Sequence, residues 1–90
     1  MDEKTKIARI NEVVKAYFEN NPSVDKISAM DLMPEFVKDG IFNKDYEREG
    51  LPIRNLLREL DRNNELDKIP SLLPERKPIN TYWYFQRPKN

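Results

Sequence analysis

Three arginines recur at every fourth position, Arg54, Arg58 and Arg62, and Asn55 stands beside the first. Side chains four apart share one side of a helix, so three guanidinium groups at this spacing form a stripe. A guanidinium can fork onto guanine O6 and N7 or onto a phosphate, and an asparagine amide can pair with adenine. The same stripe can equally be a solvated face that makes surface ion pairs, Arg58 with Asp61 or Arg62 with Glu59. Two more cations, Arg76 and Lys77, sit together in a proline-bearing stretch nearer the C-terminus.

Other chemistries have little to build on. The 90 residues contain no cysteine and no histidine, which removes disulfides, thiolate or imidazole metal sites and Cys- or His-based catalysis. Carboxylate pairs such as Glu65 with Asp67, or Asp45 with Glu47, lack the glycine-bearing spacing of a calcium loop. Gly40 and Gly50 are the only glycines, too few for a phosphate cradle. The expectation is therefore a chain that is not an enzyme, with no metal, no cofactor and no small-molecule substrate.

Charge is balanced overall but not along the chain. Sixteen basic and sixteen acidic residues cancel, which argues against binding polyanions by bulk charge. From Lys68 onward, Lys68, Arg76, Lys77, Arg87 and Lys89 face one acid, Glu75, so this third is net +4 and the remainder net −4. A solvated tail gives the same asymmetry. A hydrophobic fraction of 38% supplies one modest core, so residues 1–90 read as one domain. The charged start, Met1-Asp2-Glu3-Lys4, is unlike a signal peptide, and no apolar run approaches a membrane span. A soluble, cytoplasmic protein without a membrane partner is expected.

The elements that must position the stripe follow from periodicity. Residues 3–20 carry Ile7, Ile10, Val14, Tyr17 and Phe18 on one face of a helix, which Asn20-Asn21-Pro22 ends. Residues 23–27 could form one brief strand. Ser28 reads as an N-cap, with Asp31 at the capping-box position. The helix it opens turns Ala29, Leu32, Met33, Phe36 and Val37 inward and stops at Gly40. Pro34, past the first turn, predicts a kink or a restart. Residues 41–50 form a polar connector in which Ile41 and Phe42 tuck into the core and Asn43 can cap a single helical turn. Pro52 then sits in the first turn of the arginine-bearing helix, where a missing N–H does no harm. That helix buries Ile53, Leu56, Leu57 and Leu60 and runs to about Asn63.

Asn63-Asn64 is a turn signal. Residues 65–69 alternate as a half-buried strand does, residues 70–80 hold three prolines and read as a loop, and residues 81–86 are the strongest strand. Trp83 and Phe85 share the core face of that strand. Tyr82 and Tyr84 share the other, where they could stack on bases, form a dimer contact or simply fill the strand. Two final strands adjacent in sequence pair most simply as an antiparallel hairpin, giving an α+β domain of three helices and a small sheet.

From Leu51 on, the Leu-Leu-Arg-x-Leu-Asp run, the following Leu and Ile-Pro, the loop and Tyr-Trp-Tyr-Phe resemble the third helix and wing of winged helix-turn-helix domains. By element order the resemblance covers roughly residues 5–87. It implies a winged helix-like fold with a C-terminal β-hairpin wing. It implies also a small DNA-binding domain, a transcriptional regulator or accessory module, whose partner is double-stranded DNA. In that family the third helix usually enters the major groove and the wing touches an adjacent groove or the backbone. The matching positions are Arg54, Asn55, Arg58 and Arg62 on the helix and Arg76 and Lys77 in the wing. Winged helix folds also serve as protein-docking modules. The balanced charge, Glu47, Glu49, Glu59 and Asp61 near the arginines, and a connector longer than a tight turn keep a protein partner or homodimer as the alternative.

Overall fold

The computed structural model describes residues 2–43 and 50–87. Among them the element order is α1 (Glu3–Asn20), β1 (Lys26–Ser28), α2 (Ala29–Lys38), α3 (Leu51–Arg62), a 3₁₀ turn (Leu66–Lys68), β2 (Leu72–Arg76) and β3 (Thr81–Gln86). Three helices pack with one antiparallel sheet of strand order β1-β3-β2, an α+β fold with a C-terminal hairpin and a winged helix-like layout.

Helix α1 has the bounds its periodicity predicts. Asp2 caps it by accepting the Thr5 amide at 2.8 Å, and Ile7, Ile10, Val14 and Phe18 form its buried face. The other end is closed from far along the chain. The Arg87 guanidinium donates to the carbonyls of Phe18 and Asn21, both at 2.8 Å, and to that of Val24. It lies 5.3 Å from the centre of the Phe18 ring, with Asp25 Oδ1 3.5 Å from its Nε. Arg87 thus occupies the negative end of the α1 dipole and ties the last strand to the first helix. Arg87→Ala is expected to lower unfolding free energy by about 2 kcal/mol, the range for hydrogen bonds to a charged group. Arg87→Lys should restore only part of it, because an ammonium is a compact point charge without the guanidinium's planar array of spaced donors. Chemical denaturation of the two variants measures both.

Strand β1 lies at Lys26–Ser28, slightly later than the segment expected, and runs directly into α2. Ser28 caps α2, its hydroxyl accepting the Met30 amide at 3.2 Å rather than that of Asp31. Helix α2 continues through Pro34 without a restart. The carbonyl that Pro34 cannot serve belongs to Met30, one turn earlier in the helix. A Schellman motif ends the helix: Ile41 N–H bonds Phe36 C=O and Gly40 N–H bonds Val37 C=O, both at 3.0 Å, with Gly40 at φ +83°. Ile41 is buried, and the Phe42 ring meets Phe36 edge-on at 6.3 Å. The single helical turn expected after Asn43 lies outside the described residues.

Gly50 opens α3 and is tightly constrained. Its φ is +75°, and a Cβ there would stand 2.9 Å from the Met30 Cα. The start of α3 is thereby pressed against the start of α2, which only a residue without a side chain allows. Helix α3 buries Ile53, Leu57 and Leu60 and half-buries Leu56. Its end repeats the Schellman pattern, with Asn64 at φ 57° in the glycine position and Glu65 N–H on Leu60 C=O at 2.8 Å.

Two expectations for the C-terminal third are corrected. Residues 65–69 are not a strand but a 3₁₀ turn, closed by Lys68 N–H on Glu65 C=O and Ile69 N–H on Leu66 C=O. Leu66 and Ile69 are three apart, which matches one 3₁₀ turn as well as it matches a strand. The hairpin partner of β3 comes instead from the proline-bearing stretch expected to be a loop. Leu72 pairs with Phe85, Pro74 with Trp83 and Arg76 with Thr81. Strand β2 is an edge strand, where a proline without an N–H is admissible. Strand β3 is central. Trp83 and Phe85 are buried as expected, and Phe85 meets Phe36 edge-on at 5.9 Å.

Candidate functional site

The α3 arginines and the β2–β3 hairpin lie side by side. With about 100° per residue and Ile53, Leu57 and Leu60 facing the core, Arg54 flanks the buried stripe on the same side as Asp61. Arg58 and Arg62 point further out. All three arginines line a cleft of about 340 Å³ between α3 and the hairpin. Its opposite wall is Ile79, Asn80, Thr81 and the edge of Trp83. A second cleft of about 430 Å³ shares Arg54, Asn80, Thr81 and Trp83 with the first and continues to Met30 at the start of α2 and to Tyr82. Arg54 therefore stands at the junction of the two.

The described arginines divide into two groups. Arg9 pairs with Asp39 at 2.7 Å, Arg76 with Asp61, and Arg87 caps α1. Arg54, Arg58 and Arg62 have no acid partner among the described residues. The ion pairs expected along the helix, Arg58 with Asp61 and Arg62 with Glu59, do not form. Asp61 turns to the hairpin instead, taking a two-pronged bond from Arg76 at 3.0 and 2.9 Å. Glu59 stays exposed on the far side of α3, near Asn55. Glu47 and Glu49 lie outside the described residues.

The structure thus brings together three of the six residues the sequence singled out. Asn55 is exposed but does not line the cleft. Arg76 and Lys77 each hold an acid, Lys77 bonding Glu75 at 2.8 Å. Both belong to the hairpin's own framework more than to an open binding surface. Sequence reasoning missed Ile79, Asn80, Thr81 and Met30. The available signal was an isoleucine between Pro78 and Asn80, in a turn where polar residues are usual. On the outer face of the sheet, the Lys26 ammonium lies 4.5 Å from the centre of the Tyr84 ring, while Tyr82 is half exposed.

The Arg76 bond holds the Asp61 carboxyl below the usual carboxylate range, and Lys77 does the same for Glu75. A carboxyl whose pKa is lowered by folding contributes stability that is complete above its unfolded value and is lost as pH falls through the folded one. The tether between hairpin and α3 is therefore expected to persist through neutral and mildly acidic pH and to loosen only in strong acid. An NMR titration checks this: the Asp61 carboxyl and the Ile79 and Asn80 amides should shift together. In Asp61→Asn that common step should vanish.

Among the described residues, no helix is long and apolar enough to cross a membrane. Comparison of the chain with known protein families, curated proteins and solved structures finds no match.

Proposed function

We propose that this chain is a small DNA-binding domain of the winged helix type, a cytoplasmic transcriptional regulator or accessory module whose partner is double-stranded DNA. The observation that carries the reading is the set of three α3 arginines without acid partners among the described residues, gathered in one cleft against a hairpin. A B-DNA major groove is about 12 Å wide and admits a helix. From Arg54 to Arg62 the helix rises about 12 Å, the axial length of roughly three to four base pairs. With α3 in the major groove and the hairpin over the adjacent minor groove, the strand between them runs through the cleft. Arg54, on the flank nearest the hairpin, then contacts phosphate. Arg58, Arg62 and Asn55, further round the helix, face the groove, where they meet phosphates or base edges. Arg76 acts indirectly, by fixing the hairpin to α3.

The test is a fluorescence-anisotropy titration of the domain with random-sequence duplex DNA at low and moderate salt. Binding that weakens steeply with salt supports a phosphate-contacting surface. No binding at low salt removes the reading. A second reading, docking of a protein partner or a second copy, is favoured by one specific observation. Met30, Ile79 and Tyr82, which are 40%, 91% and 50% exposed, all border the two joined clefts.

A further inference from the structure

Ile79 is 91% exposed, the most exposed of the large apolar side chains among the described residues. It lies in the turn of the β2–β3 hairpin, which Lys77 N–H closes onto Asn80 C=O at 2.8 Å. Pro78 immediately before it has a locked φ. The hairpin stem is tied to α3 by the Arg76–Asp61 bridge. The turn thus projects beside Arg54, Arg58 and Arg62, whose cleft Ile79 borders.

Among the described residues, Ile79 packs into no hydrophobic cluster. Turns favour Gly, Asn, Asp, Ser and Pro for backbone reasons, and a β-branched apolar residue there gains neither burial nor conformational ease. An occupant is needed that is apolar where Ile79 reaches and anionic where the arginines lie. The flat interior of a base stack bordered by phosphates has both properties. The minor groove is about 6 Å wide, enough for one such side chain, and its acceptors suit the amide of neighbouring Asn80. The only acid from Lys68 to the C-terminus is Glu75, which is bonded to Lys77, so little at the tip repels phosphate.

We propose that Ile79 is a wedge that enters the minor groove next to the strand held in the arginine cleft, partly unstacks one base step and kinks the duplex. This rests on the DNA-binding reading. The energy of unstacking is offset by the closer approach of the bent strand to the cleft. Pyrimidine–purine steps open most easily, so sites carrying a TA or CA step where the wedge falls bind more tightly than a stiff A-tract.

The experiment uses the whole chain and duplexes labelled at both ends for energy transfer, with 2-aminopurine at successive positions. Wild type should shorten the end-to-end distance and raise 2-aminopurine emission at one step. Ile79→Ala should return both signals to those of free duplex and abolish the preference for TA over A-tract DNA, while salt-sensitive binding to duplex persists. Ile79 is on the surface, so the variant folds as wild type does. If Ile79→Ala bends and unstacks DNA as wild type does, the wedge is wrong and the DNA-binding reading survives. Wild type that binds without bending overturns the wedge in the same way. If wild type shows no salt-sensitive binding, the cleft is not a DNA site and the wedge falls with it, leaving Ile79 to a protein partner.

Discussion

Replacing Arg54, Arg58 and Arg62 together with alanine is expected to weaken duplex binding by about 100-fold at low salt and to flatten its salt dependence. Each lost phosphate contact removes about one released counterion, so the slope of log affinity against log salt should fall by up to about 2.7. At about 1 kcal/mol per exposed charge-assisted contact, three contacts correspond to roughly two orders of magnitude. The two readouts separate roles. If Arg58 or Arg62 reads a base edge instead, its single replacement relaxes preference at one position and leaves the slope nearly untouched. The variant should fold normally, because none of the three side chains has an acid partner among the described residues and none is buried. Circular dichroism and thermal melting check that. A folded triple variant with unchanged affinity would remove this face from the binding surface.

The same three residues mark how far the sequence could be read. The stripe was legible because the helix beneath it obeys simple rules. Its apolar positions repeat at helical spacing, Pro52 sits in its first turn, and Asn64 can take the left-handed conformation at its end. Helix α1 and strand β3 were legible for the same kind of reason: one period, clear stops. Strand β2 was not. Leu72-Leu73-Pro74-Glu75-Arg76 has no alternation and contains a proline, and it becomes a strand because β3 offers it a ladder and places it at the sheet edge. That is a tertiary decision, invisible in a local window.

Strand β2 decides which residues the candidate site contains. If residues 70–80 formed one long loop, Arg76 and Lys77 would lie in the wing loop, open to a DNA backbone. With β2 in place, the hairpin turn shrinks to the residues around Pro78 and Ile79, and Arg76 falls on the strand, opposite Thr81. From there it reaches Asp61, fifteen residues earlier in the chain. No helix-spacing rule predicts that pair, since Asp61 has Arg58 and Arg62 on its own helix to choose from. The choice has a consequence for function. By engaging Asp61, Arg76 keeps that carboxylate from quenching Arg58, so a neutral chain presents a local positive surface. Charge balance over the whole sequence therefore says little against a polyanion partner here.

Phe36→Ala is expected to be among the most damaging single core replacements, at about 3–5 kcal/mol. Phe36 is fully buried on α2, edge-on to Phe85 of the central strand at 5.9 Å and to Phe42 of the connector at 6.3 Å. Removing the ring leaves a cavity and deletes two aromatic pairs, each contributing beyond its buried area. In a domain of this size each kcal/mol shifts Tm by roughly 4–8 °C, so a drop of about 12–40 °C is expected. Small domains hold only about 5–15 kcal/mol in total, so the variant will sit close to unfolding at ordinary temperature. Phe36→Leu keeps most of the volume and should lose much less. The pair tests more than packing. Helix α2 and strand β3 both meet at Phe36, and the cleft depends on where each puts its neighbours, Met30 against Gly50 and Trp83 beneath the hairpin turn. If Phe36→Leu stays folded yet lowers DNA affinity without changing the salt slope, the geometry between α3 and the hairpin, rather than charge alone, sets the strength of binding.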